Sequence, residues 1–255
     1  MKTISKNKGY HTPGQAPDPV SINRDILRGK PRGISPFLRT EFFTKLSCNK
    51  NNSISWQFLI VDKDEDFADR SNMTKILPSH RGDIKVLDNN KSALIKTDGL
   101  LTNKDISIFL KTADCIPAIL YWPESNWFGL VHMGYDGLLL GLPKKLMQKI
   151  KKLNLSTNEV EIIFGPSICE KCYDHDGIKR RVKWSVLRLI YPKYAKKNQR
   201  EYTFDLNGAY IDQFTKLGIK TNQINASERL CTNCNLHLSR HHKEKSDALI
   251  TIVKR

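Results

Sequence analysis

The sequence predicts one α/β or α+β domain over residues 37–255, preceded by a basic arm at 1–36. Three observations lead there: strand-length apolar bursts, amphipathic stretches set among them, and the absence of any internal repeat. The arm holds five of the eleven prolines, four of the fourteen glycines and seven basic side chains against Asp18 and Asp25. It shows neither helical nor strand period, so little in it offsets the entropy of ordering, and a flexible segment is expected. The expected strands are Trp56–Val61, Ile106–Leu110, Ile116–Tyr121, Phe128–Val131 and Val160–Phe164, rich in β-branched or aromatic residues and parted by turn residues such as Pro123-Glu124-Ser125-Asn126. Leu142, Leu146, Ile150 and Leu153 recur at helical spacing between lysines, with Pro143 tolerated in the first turn. A second helix is expected through Val182, Val186, Leu187 and Ile190, stopping at Pro192, with that stripe covering a core. A third follows Asp205 through Tyr210, Ile211 and Phe214 and ends before Gly218.

Composition narrows the function classes. The chain of 255 residues has 42 Lys+Arg against 26 Asp+Glu, a formal charge of +16. No apolar run approaches the ~20 residues of a membrane helix, and the basic start lacks the apolar core of a secretory signal. A cytoplasmic location is expected, where structural disulfides are uncommon. The six cysteines are therefore read first as metal ligands, nucleophiles or buried thiols. The charge suggests an anionic partner without choosing among nucleic acid, nucleotide, phosphate and plain solubility. The arm reads as a solubilising tail before a nucleic-acid tether. Segment 179–200 has nine basic residues and no acid, and reads as a solvated helix face before a phosphate-backbone surface.

The densest chemistry lies between Pro78 and Gly141. Thr112-Ala113-Asp114-Cys115-Ile116-Pro117 sets a cysteine at the start of one strand, and seventeen residues later His132 closes the next. Antiparallel neighbours about 4.8 Å apart bring such positions to one sheet rim. Gly134 and Gly137 permit close approach there. Pro78-Ser79-His80-Arg81-Gly82 adds a second histidine in a turn. Two imidazoles and a thiolate with a fourth position left for water form a catalytic-zinc pattern. The same residues also read as a buried small thiol and a solvated turn histidine.

Thr112-Ala113-Asp114-Cys115-x-Pro117, His132-x-Gly134-Tyr135-x-Gly137-x-x-x-Gly141, Gly165-Pro166-Ser167-Ile168 with Tyr173, and Cys231-Thr232 before Ser239-Arg240-His241-His242 occur in that order. Asp98-Gly99-Leu100-Leu101-Thr102 and Asp205-Leu206 fit weaker positions. The set resembles the YfiH/laccase-domain family, known as polyphenol oxidase or purine nucleoside phosphorylase. The resemblance covers about residues 40–255 and implies a sandwich of mixed β-sheets flanked by helices. It implies zinc, with copper as the alternative, held by His80, Cys115 and His132. It also implies phosphorolysis of adenosine, inosine and methylthioadenosine, with adenosine deamination as a companion. Seven histidines in the whole chain are too few for several copper centres, which disfavours true laccase chemistry. The family's Trp-Arg-Gly reads Tyr135-Asp136-Gly137 here, and its late Ser-Tyr-Arg-Arg reads Ser239-Arg240-His241-His242. Substrate contacts then fall to Asp136, Arg81, Arg240 and His241.

Cys169-Glu170-Lys171-Cys172 and Cys231-Thr232-Asn233-Cys234 form two C-x-x-C pairs separated by 58 residues. The gap exceeds the ~15–20 residues of a zinc ribbon, so a shared metal would be a tertiary clamp; reduced or redox-paired thiols are the alternatives. Cys48 stands alone and is assigned no role. Three functions compete. The first is a metal-dependent phosphorylase acting on a nucleoside and phosphate. The second is a hydrolase or deamidase with Cys115 as nucleophile and His132 as base. The third is a non-catalytic nucleotide- or protein-binding member, motivated by Asp136 and the lost arginines.

Overall fold

The computed structural model describes residues 40–49, 52–62, 73–89, 93–175, 177–199, 201–226, 230–236 and 247–255. The arm 1–36, Arg240, His241 and His242 lie outside them. In chain order the elements are β1 (Thr40–Asn49), β2 (Asn52–Asp62), β3 (Met73–Leu77), β4 (Ile84–Leu87), β5 (Leu94–Lys96), β6 (Gly99–Thr102), β7 (Ser107–Thr112), β8 (Ile116–Trp122) and β9 (Trp127–Met133). There follow α1 (Tyr135–Leu139), α2 (Leu142–Lys152), β10 (Glu161–Phe164), α3 (Ile178–Ile190), β11 (Ala195–Asn198), β12 (Glu201–Phe204), α4 (Leu206–Lys216), β13 (Ile224–Asn225) and β14 (Asp247–Lys254).

One six-stranded sheet has the order β1-β2-β14-β7-β3-β5, a second β13-β10-β8-β9-β6-β4, and β11 and β12 form a separate hairpin. Each large sheet mixes parallel and antiparallel pairs: β3 runs parallel to β7, while β8 runs antiparallel to β9. This is the sandwich of mixed sheets that the resemblance implies. Each expected strand forms with its boundaries moved by a few residues. Strand alternation divides the core into layers. From β8, Ile119 and Tyr121 join Phe58, Ile108, Phe128, Leu130 and Val253 in the cluster between the sheets. Its alternate residues Ile116, Ala118, Leu120 and Trp122 pack against Leu142, Leu146 and Ile150 of α2 and Tyr210 and Phe214 of α4. Leu59, Phe109, Ala248, Ile250 and Ile252 form a third cluster on the first sheet.

The helices meet two expectations of three. α2 buries Leu142, Leu146 and Ile150. Asp205 caps α4, its carboxylate accepting from Gly208 N–H at 2.9 Å. α3 forms and stops before Pro192 as expected, but its expected core stripe is corrected in part: Val182, Val186 and Ile190 are exposed, while Leu187 of that stripe is buried together with Trp184. Two residues along a helix is 200° of rotation, so Trp184 points almost opposite Val182. The period was readable, but α3 is apolar on both sides and periodicity does not say which side is packed. No helix among the described residues is long and apolar enough to cross a membrane.

Candidate metal centre

The register of β8 and β9 builds the site. Pro117 lies opposite His132 and Ile116 opposite Met133, so Cys115, one residue before β8, comes level with Gly134, one residue after β9. Cys115 and His132 share strand parity with Ile119 and Leu130, which face the other sheet. A methyl group on Gly134 would stand 2.9 Å from Cys115 Sγ and 3.4 Å from His132 Cε1. Only glycine leaves the thiol and imidazole that close.

His80 approaches from the crossing between β3 and β4. Its ring meets that of His132 edge-on, with centroids 5.0 Å apart. Its φ of 57° puts a non-glycine residue in the left-handed region, a strained conformation found where structure elsewhere imposes it. Asp98 imposes it here. One carboxylate oxygen accepts from His80 N–H at 2.9 Å. The other accepts from Arg81 N–H at 2.8 Å, Gly82 N–H at 2.7 Å and Ser79 Oγ at 2.8 Å. Ser79 also bonds Asp83. His132 Nδ1 lies 3.2 Å from Asp98 Oδ1. An ionised carboxylate only accepts, so Nδ1 carries the proton and the Nε2 edge remains for Cys115 or a metal.

Burial alone would raise the Asp98 pKa, but the bonds from His132, Ser79, His80 and Gly82 prevail and hold it well below the usual carboxylate range. Burial likewise opposes charge on His132. The Cys115 and Asp98 charges and the hydrogen bonds both residues make to the ring nevertheless push His132 up to about 9.

The centre has a defined surround. Asp136 in α1 brings a carboxylate oxygen within 3.9 Å of His80 Nδ1. Arg81 is exposed; its backbone serves Asp98, and its carbonyl accepts from Lys145 Nζ at 3.0 Å. Tyr210 donates to Gly134 O at 2.7 Å from beneath the loop. Lys183 of α3 bonds Tyr135 Oη and stands 4.4 Å over its ring. Sequence reasoning named Asp98 and Ser79 only as members of short motifs, with no role for either, and did not single out Lys183. The signals for Asp98 were an acid directly before an apolar strand and its place in a weaker family motif.

His80, Cys115 and His132 adjoin without closing into a metal-spaced set: among the described residues, the group whose ligand atoms are close enough to share an ion is Cys169, Cys172, Cys231 and Cys234. In the trio, one imidazole is oriented by a buried carboxylate, and the third donor sits on a strained, clamped turn. His80 is the outlying and exposed member. Cys169, Cys172, Cys231 and Cys234 are gathered more tightly, with all four sulfurs within 4.8 Å of one another. Burial raises the Cys231 thiol, but N–H groups of Cys234, Cys169 and Asn233 aimed at its sulfur outweigh it and bring it to about 7.

A family model described as multi-copper polyphenol oxidoreductase laccase matches residues 64–248. A purine nucleoside phosphorylase of Aquifex aeolicus is 28% identical over 172 residues, 67% of this chain and 76% of that protein. Purine nucleoside phosphorylase YlmD of Bacillus subtilis is 28% identical over 185 residues, and the match spans 69% of this chain and 64% of that one. The crystal structure of the Bacillus licheniformis hypothetical protein YfiH superposes with a TM-score of 0.65 at 20% identity, covering 79% of this chain and 92% of that one. The matched span takes in His80, Cys115, His132 and Asp98 together with most strands of both sheets, and the chain therefore belongs to the multi-copper polyphenol oxidoreductase laccase family, the YfiH-like group.

Proposed function

We propose that the chain is a metal-dependent purine nucleoside phosphorylase acting on adenosine, inosine and methylthioadenosine, with adenosine deamination as a side reaction. The observation that carries the reading is the Asp98–His132–Cys115 cluster with His80 beside it, supported by relatives named for that activity. His80, Cys115 and His132 would hold the ion, with zinc favoured by the mixed nitrogen–sulfur donor set. When bound, the ion supplies positive charge for phosphate and for the departing purine. Asp98 keeps the proton on His132 Nδ1 and fixes the ring plane. Lys183, anchored on Tyr135, offers a cation on the side where Asp136 replaces the family's arginine. In the overall reaction a phosphate oxygen bonds to C1′ of the ribose as the C1′–N bond breaks. The electron pair leaves with the purine, which takes a proton.

The test is phosphate-dependent release of hypoxanthine from inosine by zinc-loaded protein. Release that is lost in Cys115→Ala and in His132→Ala supports the reading. Loaded protein that frees no base from any of the three nucleosides overturns it.

A second reading is a Cys/His hydrolase or deamidase. The contact between Cys115 and His132 and the upward-shifted imidazole favour it, since an imidazolium stabilises a nucleophilic thiolate. A thiol-directed probe separates the two. Labelling of Cys115 that zinc blocks supports the metal centre, and labelling indifferent to zinc supports the nucleophile.

A further inference from the structure

Outside that centre, Cys169, Cys172, Cys231 and Cys234 meet at one point. Cys169 and Cys172 bracket a 3₁₀ turn, Glu170–Cys172, in which Cys172 N–H reaches Cys169 O at 3.1 Å. Cys231 and Cys234 bracket a second turn, closed by Asn235 N–H to Cys231 O at 3.1 Å. The two turns are joined before any metal is considered. Ser167 and Cys231 form a parallel bridge, with Ser167 N–H bonded to Leu230 O and Thr232 N–H to Ser167 O, both at 3.1 Å.

We propose that Cys169, Cys172, Cys231 and Cys234 hold a second, structural zinc ion as a closed tetrathiolate site. Zinc–sulfur bonds of about 2.3 Å at tetrahedral angles put ligand sulfurs about 3.8 Å apart, so four sulfurs within 4.8 Å need only a small contraction. Clusters with several irons spread their thiolates more widely than this group allows. The backbone is already arranged for a thiolate at Cys231. Cys231 Sγ accepts from Cys169 N–H at 3.3 Å, Asn233 N–H at 3.4 Å and Cys234 N–H at 3.5 Å, donors drawn from both turns. Cys231 is buried, Cys169 and Cys172 are half-buried and Cys234 is exposed, which leaves the ion a way in. All four positions are taken by protein, so no water or substrate coordinates there; the site is structural where the His-Cys-His centre is open.

The location says what the ion would hold. Between Cys172 and Cys231 the chain makes an excursion carrying α3, β11, β12 and α4, and the ion ties its two ends together. Both turns also grip Asp114, the residue before Cys115. Ile168 N–H donates to Asp114 O at 2.9 Å, and Thr232 Oγ1 donates to Asp114 Oδ1 at 3.2 Å. The clamp therefore supports the strand start that aims Cys115. The proposal does not depend on the phosphorolysis reading.

The experiment counts metal. Full-length protein purified under reducing conditions from zinc-supplemented culture is assayed by elemental analysis beside Cys172→Ser/Cys234→Ser and Cys115→Ala. Two zinc ions per chain falling to one in the double serine variant is the expected result. Should the double variant not fold, the exposed Cys234→Ser alone is titrated with Co²⁺ after metal removal. A charge-transfer band of four thiolates that persists in Cys115→Ala and weakens in Cys234→Ser supports the site. Metal content unchanged by the cysteine substitutions overturns it, as do two disulfides found by intact mass in metal-free protein. One zinc retained in Cys115→Ala and lost in the double variant upholds the clamp and counts against the catalytic metal instead.

Discussion

Asp98 serves five donors with two oxygens: Ser79 Oγ, the N–H groups of His80, Arg81 and Gly82, and His132 Nδ1. Asn at this position turns one oxygen into a donor, facing either two or three donors that then lose their acceptor. A buried group left without its partner costs about 1–3 kcal/mol. Asp98→Asn is therefore expected to lower stability by that order in a denaturant melt. By releasing the His132 ring it should also weaken zinc affinity about 10–100-fold, as loss of an outer-shell partner does. Gly134→Ala with ordinary stability and weakened zinc binding would show that the 2.9 Å gap belongs to the site rather than the fold. The pH dependence of chelator-treated protein follows from the same pair. Asp98 is held low, so its contribution is present above about 4 and is lost as pH falls towards its folded value. His132 is raised to about 9 from 6.5, so its contribution is complete below 6.5 and fades as pH climbs through 9. Metal-free protein should melt highest between those limits, and a thermal scan across pH checks it. His80, Cys115 and His132 could be named from their order in the chain. The role of Asp98 in holding His80 and His132 could not, because acceptance of five hydrogen bonds is a property of folded neighbours.

The helices show how far an element's sequence carries. In α2 lysines and Gln148 fill the solvent positions, so the single apolar stripe had one place to go. In α3 the sequence offers Val182, Val186 and Ile190 on one side and Trp184, Leu187 and Tyr191 on another. Only the second side meets the core, where Trp184 Nε1 also donates to Thr203 O at 2.9 Å. Leu187, fully buried, and Leu189, 83% exposed, make the comparison direct. Leu187→Ala is expected to cost about 2–5 kcal/mol. Leu189→Ala should stay within about 0.5 kcal/mol, the range of surface changes. Equal losses for the two in urea unfolding would refute this packing. The β8–β9 hairpin was more legible: its Pro123–Asn126 turn and two short apolar runs fix an antiparallel register, and with it the meeting of Cys115 and His132.

At the scale of the molecule, the sheet order joins distant segments. β14, formed by residues 247–254, lies between β2 and β7 and buries Leu249, Ile250 and Val253. Removing residues 247–255 should therefore abolish cooperative unfolding, because it takes the middle from a sheet rather than a strand from its edge; loss of a sigmoidal melt is the readout. The charge of +16 first suggested an anionic partner, yet many of the described basic groups line the exposed faces of α2 and α3. By itself the sequence determined the mixture of strands and helices, the family and the two C-x-x-C pairs, and it named His80, Cys115 and His132 as the candidate trio. These rest on local periodicity, turn chemistry and short motifs, which are written along the chain. Only the tertiary structure decided the rest: Asp98 under His132, Lys183 beside Tyr135, the outward stripe of α3, and four sulfurs drawn together across 58 residues. Each of those depends on which surfaces the sheets bring into contact, and pairing over such distances is set by the burial of the whole core rather than by any segment of it.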